Sequence, residues 1–199
     1  MPASVSANHF DRRAWVSAGM EMLRSAGVQS LSIEALAKKQ NISKGSFYWH
    51  FKDREDFLES ILDEWQQRQG DWSTNGDSNQ SPVERWARLL ETFAEPGYAS
   101  LELAISTWAR QDQNVARRVA DADRKRVHYL ADIFREIGFS HDQSEEWANA
   151  AFCFYLGWLD RAGRDTQIQN GPTLAELLSR LVLAASALAS QEALRQSRR

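Results

Sequence analysis

Apolar residues recur every three or four positions along most of the chain, a spacing that indicates amphipathic helices. Polar stretches and helix-ending residues separate these segments. A run rich in Gly, Ser, Asn and Asp from Gly70 to Gln80 predicts a loop, and Pro96-Gly97 and Gly138 each predict the end of a helix. The pattern therefore predicts an all-α fold.

Residues 28–65 predict two short helices joined by a tight turn and followed by a longer helix. Ser32 is placed to cap the first of them, and this helix should end near Asn41, because Asn tolerates the left-handed conformation found at helix ends. Asp53 is placed to cap the third helix. Apolar residues at helical spacing give the first and third helices buried faces: Ile33, Leu36, Ala37, Phe57, Leu58, Ile61, Leu62 and Trp65. The arrangement is that of a helix-turn-helix.

The second helix, predicted over residues 44–51 with Ser43 as its cap, has two unlike faces. Phe47 and Phe51 are four residues apart and share the inner face. At about 100° per residue, the opposite face carries Gly45 and Trp49, flanked by Tyr48 and His50. An aromatic and polar outer face on so short a helix predicts insertion into a groove, and a glycine there allows close approach.

The rest of the chain predicts five further helices. Capping boxes, in which Ser or Thr is followed three residues later by Glu or Gln, mark three of their starts. The tail from Gln191 to Arg199 is polar and basic and is expected to fray. The predicted helices run from Ser81 to about Glu95, from Tyr98 to Arg110, from about Val115 to Ile137, from about Gln143 to Asp160, and onward from Thr173 with Glu176.

Charge is unevenly distributed along the chain, whose 199 residues have a formal net charge of −3. Residues 1–52 contain seven Lys and Arg residues against three acidic ones, a net charge of +4, so residues 53–199 carry −7. The overall balance does not suggest a nucleic-acid-binding protein. The basic N-terminal segment does, and it favours duplex DNA as the partner of the helix-turn-helix.

The sequence lacks the residue clusters that catalysis or metal binding would need. The four histidines are scattered, with no pair at metal-ligand helix spacing, and there is no phosphate-binding Gly loop or nucleophile elbow. The single cysteine, Cys153, cannot form an internal disulfide, and no stretch of about 18 apolar residues could span a membrane. The N-terminus lacks a signal-peptide apolar run. We therefore expect a cytoplasmic protein that is not an enzyme, with no metal site, no cofactor and no membrane partner.

These features resemble the N-terminal domain of the TetR family of one-component regulators. The resemblance implies a three-helix helix-turn-helix DNA-binding domain over residues 8–52 and a helical ligand-binding and dimerisation domain over residues 53–190. Residues 53–69 would form the connecting helix, and residues 191–199 a flexible tail. Beyond residue 66 the resemblance rests on helical character and length, because the family's C-terminal domains diverge widely. The matching residues are Ala18-Gly19, Gly27, Leu31-Ser32-Ile33, Leu36-Ala37, the run SKGSFYWHFK from Ser43 to Lys52, and Phe57-Leu58.

Eight residues on and around the second helix are predicted to contact DNA. Those expected to bind phosphates and set the register are Ser43, Ser46, Tyr48, His50 and Lys52. Those expected to face base edges are Lys44, Gly45, Ser46 and Trp49. Trp49 would offer an apolar surface to a thymine methyl group, and its place opposite the two phenylalanines disfavours the alternative of packing between helices. For Arg12 and Arg13, contact with the DNA backbone and simple solvation are equally good interpretations.

The last two predicted helices have apolar faces broader than a single neighbouring helix needs. They could form an intramolecular core or a dimer surface in which two helices from each chain make a four-helix bundle. We favour the dimer, partly because of the family resemblance and partly because a helix-turn-helix usually reads two half-sites about one turn of DNA apart, which requires two-fold symmetry. The candidate interface residues are Trp147, Ala151, Phe154, Trp158, Leu174, Leu178, Leu181, Ala185 and Leu188.

The resemblance implies that a small molecule binds between the middle helices and changes the spacing of the two DNA-reading heads. Aromatic residues in this region suit planar or cationic ligands, and Glu91, Glu95 or Glu102 could balance a positive charge. The alternative is that the aromatic residues only fill a helical core. The candidate lining residues are Trp65, Trp86, Phe93, Tyr98, Leu101, Trp108, Tyr129, Phe152 and Tyr155.

The favoured hypothesis is a ligand-responsive homodimeric repressor that binds a palindromic operator in duplex DNA and is released by a small-molecule effector. Two alternatives stay open. One is a helical ligand-binding or enzymatic protein with a vestigial helix-turn-helix. The other is an architectural DNA-binding protein that needs no ligand.

Overall fold

The computed structural model describes residues 10–74, 80–95, 97–164, 173–180, 182–184 and 187, and this part of the chain contains helices and no strands. The predicted all-α fold is therefore confirmed. A 3-10 turn lies at Val28–Ser30, and a last helix, α9, covers residues 174–180 and 182–184. The other helices are α1 (Arg12–Ala26), α2 (Ile33–Gln40), α3 (Lys44–Tyr48), α4 (Arg54–Thr74), α5 (Pro82–Ala94), α6 (Tyr98–Ala109), α7 (Gln113–Ile137) and α8 (His141–Ala162).

The chain forms two compact units, Met1–Gln67 and Arg68–Arg199, so the division falls within α4. The N-terminal unit thus holds the helix-turn-helix together with the first part of the helix that follows it. The sequence-derived boundaries, 8–52 and 53–190, assign all of α4 to the second domain, and they stay a prediction.

Local capping determines where the first helices begin and end. The side chains of Asp11 and Ser32 accept hydrogen bonds from the backbone N–H groups of Ala14 and Ala35, at 2.8 and 3.1 Å. Asn41 ends α2 in the left-handed conformation, with φ of 56°. The predicted roles of Ser32 and Asn41 are therefore confirmed, and together they define the turn that leads into α3.

Aromatic rings fill the core of the N-terminal unit. Phe47 of α3 meets Trp15 of α1 edge-on, with 5.3 Å between ring centroids, and meets Phe57 of α4 at 5.4 Å. All three side chains are at most 1% exposed. Gly19 lets α1 approach α4, because a Cβ atom at this position would lie 2.5 Å from the Phe57 ring. These contacts hold α3 by its inner face.

The C-terminal unit has its own core, to which α5, α7, α8 and α9 all contribute, with Trp86, Phe134, Phe152 and Leu178 among its buried members. Three predicted capping boxes start helices in this unit, and each has its reciprocal side-chain and backbone hydrogen bonds. They are Ser81 with Glu84, Ser140 with Gln143, and Thr173 with Glu176.

The predicted end of α3 near Phe51 is wrong, because the helix stops at Tyr48. The N–H of His50 bonds to the carbonyl of Phe47, three residues back, which tightens the chain into a turn. The carbonyl of His50 accepts a hydrogen bond from the side chain of Arg12. Trp49 and His50 therefore lie in the turn that follows α3.

Other predicted limits also change. The predicted loop at 70–80 begins too early, because α4 continues to Thr74; a single glycine costs a helix only about 1 kcal/mol. Residues 75–79 lie outside the described part of the chain. The α7 helix begins at Gln113, two residues earlier than predicted, because the Asp112 side chain accepts hydrogen bonds from its first N–H groups. The α8 helix is also two residues longer at each end.

Candidate nucleic-acid interface

The segment made of α3 and the turn after it, residues 44–51, presents two opposite faces, as predicted. Phe47 and Phe51 point inward and are 0% and 2% exposed. Tyr48 and Trp49 point outward and are 60% and 89% exposed. The interhelical packing alternative for Trp49 is therefore wrong for the N-terminal unit itself. The exposed indole lies on the surface that was predicted to read DNA.

All eight predicted DNA-contacting residues lie at the surface of one short segment. None of them is buried, and the two that are half-buried are Ser46 and His50. Gly45 is exposed, and a Cβ atom added there would meet only the Ser43 hydroxyl, at 3.7 Å. The fold therefore does not require a glycine at this position, which fits a requirement for close approach by a partner. The exposed members are Ser43, Lys44, Gly45, Tyr48, Trp49 and Lys52.

Lys44 does not stand alone on this face. Its Nζ lies 2.7 Å from Oε1 of Glu34 at the start of α2, and both side chains are more than half exposed. The hydrogen bond from Lys44 lowers the pKa of the Glu34 carboxyl. The pair joins the two helices of the helix-turn-helix across their exposed side.

Arg12 acts within the protein. Its guanidinium donates to the carbonyl of His50 and to the Ser60 hydroxyl, the latter at 2.6 Å, and lies 4.5 Å from the centroid of the Phe51 ring. It also approaches Asp56 at 3.5 Å. These contacts tie α1 and α4 to the end of α3, and so position the predicted phosphate contact at His50. Of the two interpretations given for Arg12, neither anticipated this role.

Arg54 is a second positioning residue that the sequence reasoning missed. Its Nε donates to the carbonyl of Leu31 at 2.9 Å, and its Nη2 lies 3.5 Å from the carbonyl of Val28. It thereby links the start of α4 to the segment that leads into α2. A signal was available, because an arginine at the first position of a helix opposes the helix dipole unless another group holds it.

Residues 16–61 match the family described as bacterial regulatory proteins, tetR family. This match contains α2, the turn, α3 and the first part of α4. The helix-turn-helix is a TetR-family DNA-binding domain. The protein is therefore a DNA-binding transcriptional regulator with an N-terminal helix-turn-helix. Among curated proteins, none shows significant sequence similarity to the chain.

Solved structures share the TetR-family fold over nearly the whole chain. A transcriptional regulator from Rhodococcus sp. Rha1 superimposes with a TM-score of 0.69 at 16% identity, covering 91% of this chain and 96% of that one. A TetR transcriptional regulator from Legionella pneumophila gives 0.64 at 12% identity, covering 96% and 99%. One from Haloarcula marismortui ATCC 43049 gives 0.63 at 18% identity, covering 90% and 96%. The likeness shows that the C-terminal unit also has this fold.

The predicted effector-lining residues are mostly buried. Four of them belong to the core of the C-terminal unit, and two more, Phe93 and Tyr98, pack against it. On α6, Trp108 is buried and Leu101 half-buried, whereas Trp65 is buried in the other compact unit. The four core members are Trp86, Tyr129, Phe152 and Tyr155.

A charged cluster lies among these aromatic residues. Arg126 donates to Glu102 at 2.6 Å and to Asp123 at 3.2 Å, and the first two side chains are buried. Burial raises the pKa of Asp123, and it also raises the pKa of the buried Tyr155 hydroxyl. Glu102, one of three carboxylates suggested as a balance for a cationic ligand, is therefore already paired with a cation of the protein.

The six predicted dimer residues that the structure describes divide into two groups. Phe154 is exposed, and Trp147 and Trp158 are half-buried. A second group is buried within the core of one protomer, as the intramolecular interpretation would have it: Ala151, Leu174 and Leu178. The remaining three lie outside the described residues: Leu181, Ala185 and Leu188.

None of the helices in the described part of the chain has the length and apolarity that crossing a membrane requires.

Proposed function

We propose that this TetR-family regulator is a homodimeric repressor that binds a palindromic operator and is released from it by a small molecule. The division of residues 44–51, which are α3 and the turn after it, into two faces carries the proposal. Phe47 and Phe51 are buried, while Trp49 and Tyr48 project into solvent. A helix of this kind fits the major groove of B-form DNA, which is wide enough to admit it.

The contacts with DNA divide by role. Hydroxyl, imidazole and ammonium groups at the edges of the face would bind phosphates and fix the register: Ser43, Ser46, Tyr48, His50 and Lys52. Residues at its centre would meet base edges: Lys44, Gly45, Ser46 and Trp49. The Trp49 ring would cover a thymine methyl group, and Gly45 would let the backbone come close to the bases.

A second copy of the chain would supply the two-fold symmetry. The outward side of α8 carries Ala150, Cys153, Phe154 and Gly157, all of them exposed and at positions that share one helix face. Half-buried tryptophans border this face at both ends. An apolar helix face of this kind supports pairing with the same helix of another protomer. We place the dimer contact on α8 and α9, where it would hold two α3 helices one turn of DNA apart.

We place the effector site in the C-terminal unit. The rings of Phe93 and Tyr155 stack at 4.6 Å, and Tyr98 lies 5.7 Å from Phe93. The Glu102–Arg126 pair lies among the same helices. Flat apolar walls beside a few polar groups are what small-molecule sites offer. The proposal assigns the protein a binding function and no catalytic reaction.

Selection of bound duplexes from randomised DNA tests the DNA-binding part. We expect the purified protein to enrich a palindrome with half-site centres about 10 base pairs, or a multiple of this, apart. Sedimentation should show an even number of protomers on that duplex. A pool without any enriched sequence would contradict the proposal.

The enriched duplex then tests release by a small molecule. Planar aromatic and cationic compounds would be titrated against the complex, with tryptophan fluorescence as the readout of binding to the protein. We expect at least one compound to lower DNA affinity by about 5-fold or more, a common size for allosteric coupling. Affinity that stays constant with every compound would instead support the architectural alternative.

A further inference from the structure

Glu34 lies on the DNA-reading side of the helix-turn-helix, where a negative charge lowers the affinity for phosphates. Its carboxylate is 2.7 Å from the Lys44 ammonium, and the two side chains are 64% and 56% exposed. Residues 33–48, from the start of α2 to the end of α3, contain three lysines and this one acidic residue. An exposed ion pair contributes little to stability, so the fold gains little from it.

We infer that Glu34 is a positioning residue that reserves Lys44 for base edges and withholds it from phosphates. The inference rests on the proposed DNA contacts of α3. The pair cancels the charge of Lys44, so that this residue adds no net attraction to DNA of arbitrary sequence. The ammonium has three donors, and Glu34 uses one of them. The others can still bond to paired acceptors such as the N7 and O6 atoms of guanine.

The consequence is a gain in discrimination at the expense of affinity. Glu34 weakens binding to every duplex through its charge. On the correct duplex, the base contact of Lys44, already oriented by Glu34, offsets part of that loss. On any other duplex nothing offsets it. Glu34 therefore acts on sequence preference through Lys44 without touching DNA itself.

Comparison of Glu34→Gln with Glu21→Gln tests this inference. Glu21 is also exposed and paired with a cation, Arg24 of α1, at 2.6 Å. The two variants thus lose the same charge and the same kind of ion pair in the same compact unit. The probes are the duplex selected by the wild-type protein and a scrambled duplex of equal length and composition. Affinity for each is measured by fluorescence anisotropy over a tenfold range of salt.

We expect Glu34→Gln to bind the scrambled duplex more tightly and with a salt slope steeper by about 0.9, the value for one further phosphate contact. That slope corresponds to about 8-fold in affinity over a tenfold change in salt. Affinity for the selected duplex should rise less, so that the ratio of the two affinities falls by about 3-fold or more. Glu34→Asp, which keeps the charge, should retain the wild-type slope, and Glu21→Gln should leave the ratio unchanged.

Lys44→Gln and the double variant show whether the effect passes through Lys44. In the Lys44→Gln background, Glu34→Gln should no longer change the ratio of affinities. Equal effects of Glu34→Gln and Glu21→Gln on both duplexes would overturn the inference alone. If Lys44→Gln itself left the preference for the selected duplex intact, the proposed base contact of Lys44 would be wrong, and the inference would fall with it.

Discussion

Arg126 of α7 donates a hydrogen bond to Glu102 of α6 at 2.6 Å, and only 5% and 6% of these side chains are exposed. Loss of one partner would leave the other charge buried without compensation. We therefore expect Arg126→Met to lower the free energy of unfolding by about 3–5 kcal/mol. The double variant Glu102→Leu with Arg126→Met should lose much less, because it buries neither charge. Urea denaturation measures both.

Arg124→Met is the matched control for this pair. Arg124 lies two residues away on α7 and forms an ion pair with Asp121 in which both side chains are more than half exposed. Its loss should lower the free energy of unfolding by less than about 1 kcal/mol. If Arg126→Met lowered the free energy of unfolding no more than Arg124→Met does, the buried pair would not be needed to compensate the Glu102 charge.

Gly19 makes the close contact between α1 and α4 possible. An added Cβ atom would lie 2.5 Å from Cζ of Phe57 and 2.7 Å from Cδ1 of Ile61. We expect Gly19→Ala to lower the free energy of unfolding by about 1–3 kcal/mol, as overpacking in a tight core does. Ser17→Ala, at an exposed position of the same helix, should change it by less than about 0.5 kcal/mol. A stabilised Gly19→Ala protein in thermal unfolding would refute the tight contact.

Asp56 links the stability of the N-terminal unit to pH. The N–H of Lys52 and, more weakly, the Arg12 guanidinium lower the pKa of its carboxyl below its usual value. A lowered pKa in the folded state stabilises the fold above the unfolded pKa of about 3.9, and this stabilisation is lost as pH falls through the folded value. We therefore expect Asp56→Asn to be destabilising at pH 7 and to differ less from the wild type at pH 3.

Urea denaturation at the two pH values checks this expectation, and Glu55→Gln, at the exposed neighbouring position, controls for the loss of one negative charge. A difference between Asp56→Asn and the wild type that stays the same at pH 7 and pH 3 would show that the carboxylate does not stabilise the fold through these contacts.

Phe154 tests the proposed dimer surface. It is exposed on α8 in one protomer, so replacing it with Glu should leave each protomer folded and place charges at the interface between copies. We expect Phe154→Glu to weaken self-association by about tenfold or more in sedimentation equilibrium. Val83→Glu, which replaces a residue that is 69% exposed on α5, should leave it unchanged. Identical association of both variants and the wild type would move the dimer contact elsewhere.

Local patterns were sufficient to predict the helix-turn-helix. The cap at Ser32, the left-handed Asn41 and the opposite orientation of Phe47 and Trp49 all depend on residues within a few positions of one another. The structure confirms each of them. The same holds for the capping boxes of the C-terminal unit, which need only residues three apart.

Contacts between distant residues could not be predicted in this way. Arg12 and His50 are 38 positions apart, and the Arg12 guanidinium donates a hydrogen bond to the His50 carbonyl just after α3. Glu102 and Arg126 are 24 positions apart on different helices. No periodic pattern pairs such residues, because only the packing of helices brings them together. The packing partners of the broad apolar faces of α8 and α9 could not be predicted for the same reason, because periodicity does not show which neighbour covers a face.

Trp49 offers the most direct measurement of whether the outward side of α3 and the turn after it reads DNA. Trp49→Ala removes a side chain that makes no contribution to the core, so its unfolding midpoint should match that of the wild type. We expect its affinity for the selected duplex to fall by about tenfold or more, a loss of about 1–3 kcal/mol, and its affinity for a scrambled duplex to change by less than about twofold. Equal affinity of Trp49→Ala and the wild type for the selected duplex would contradict the account.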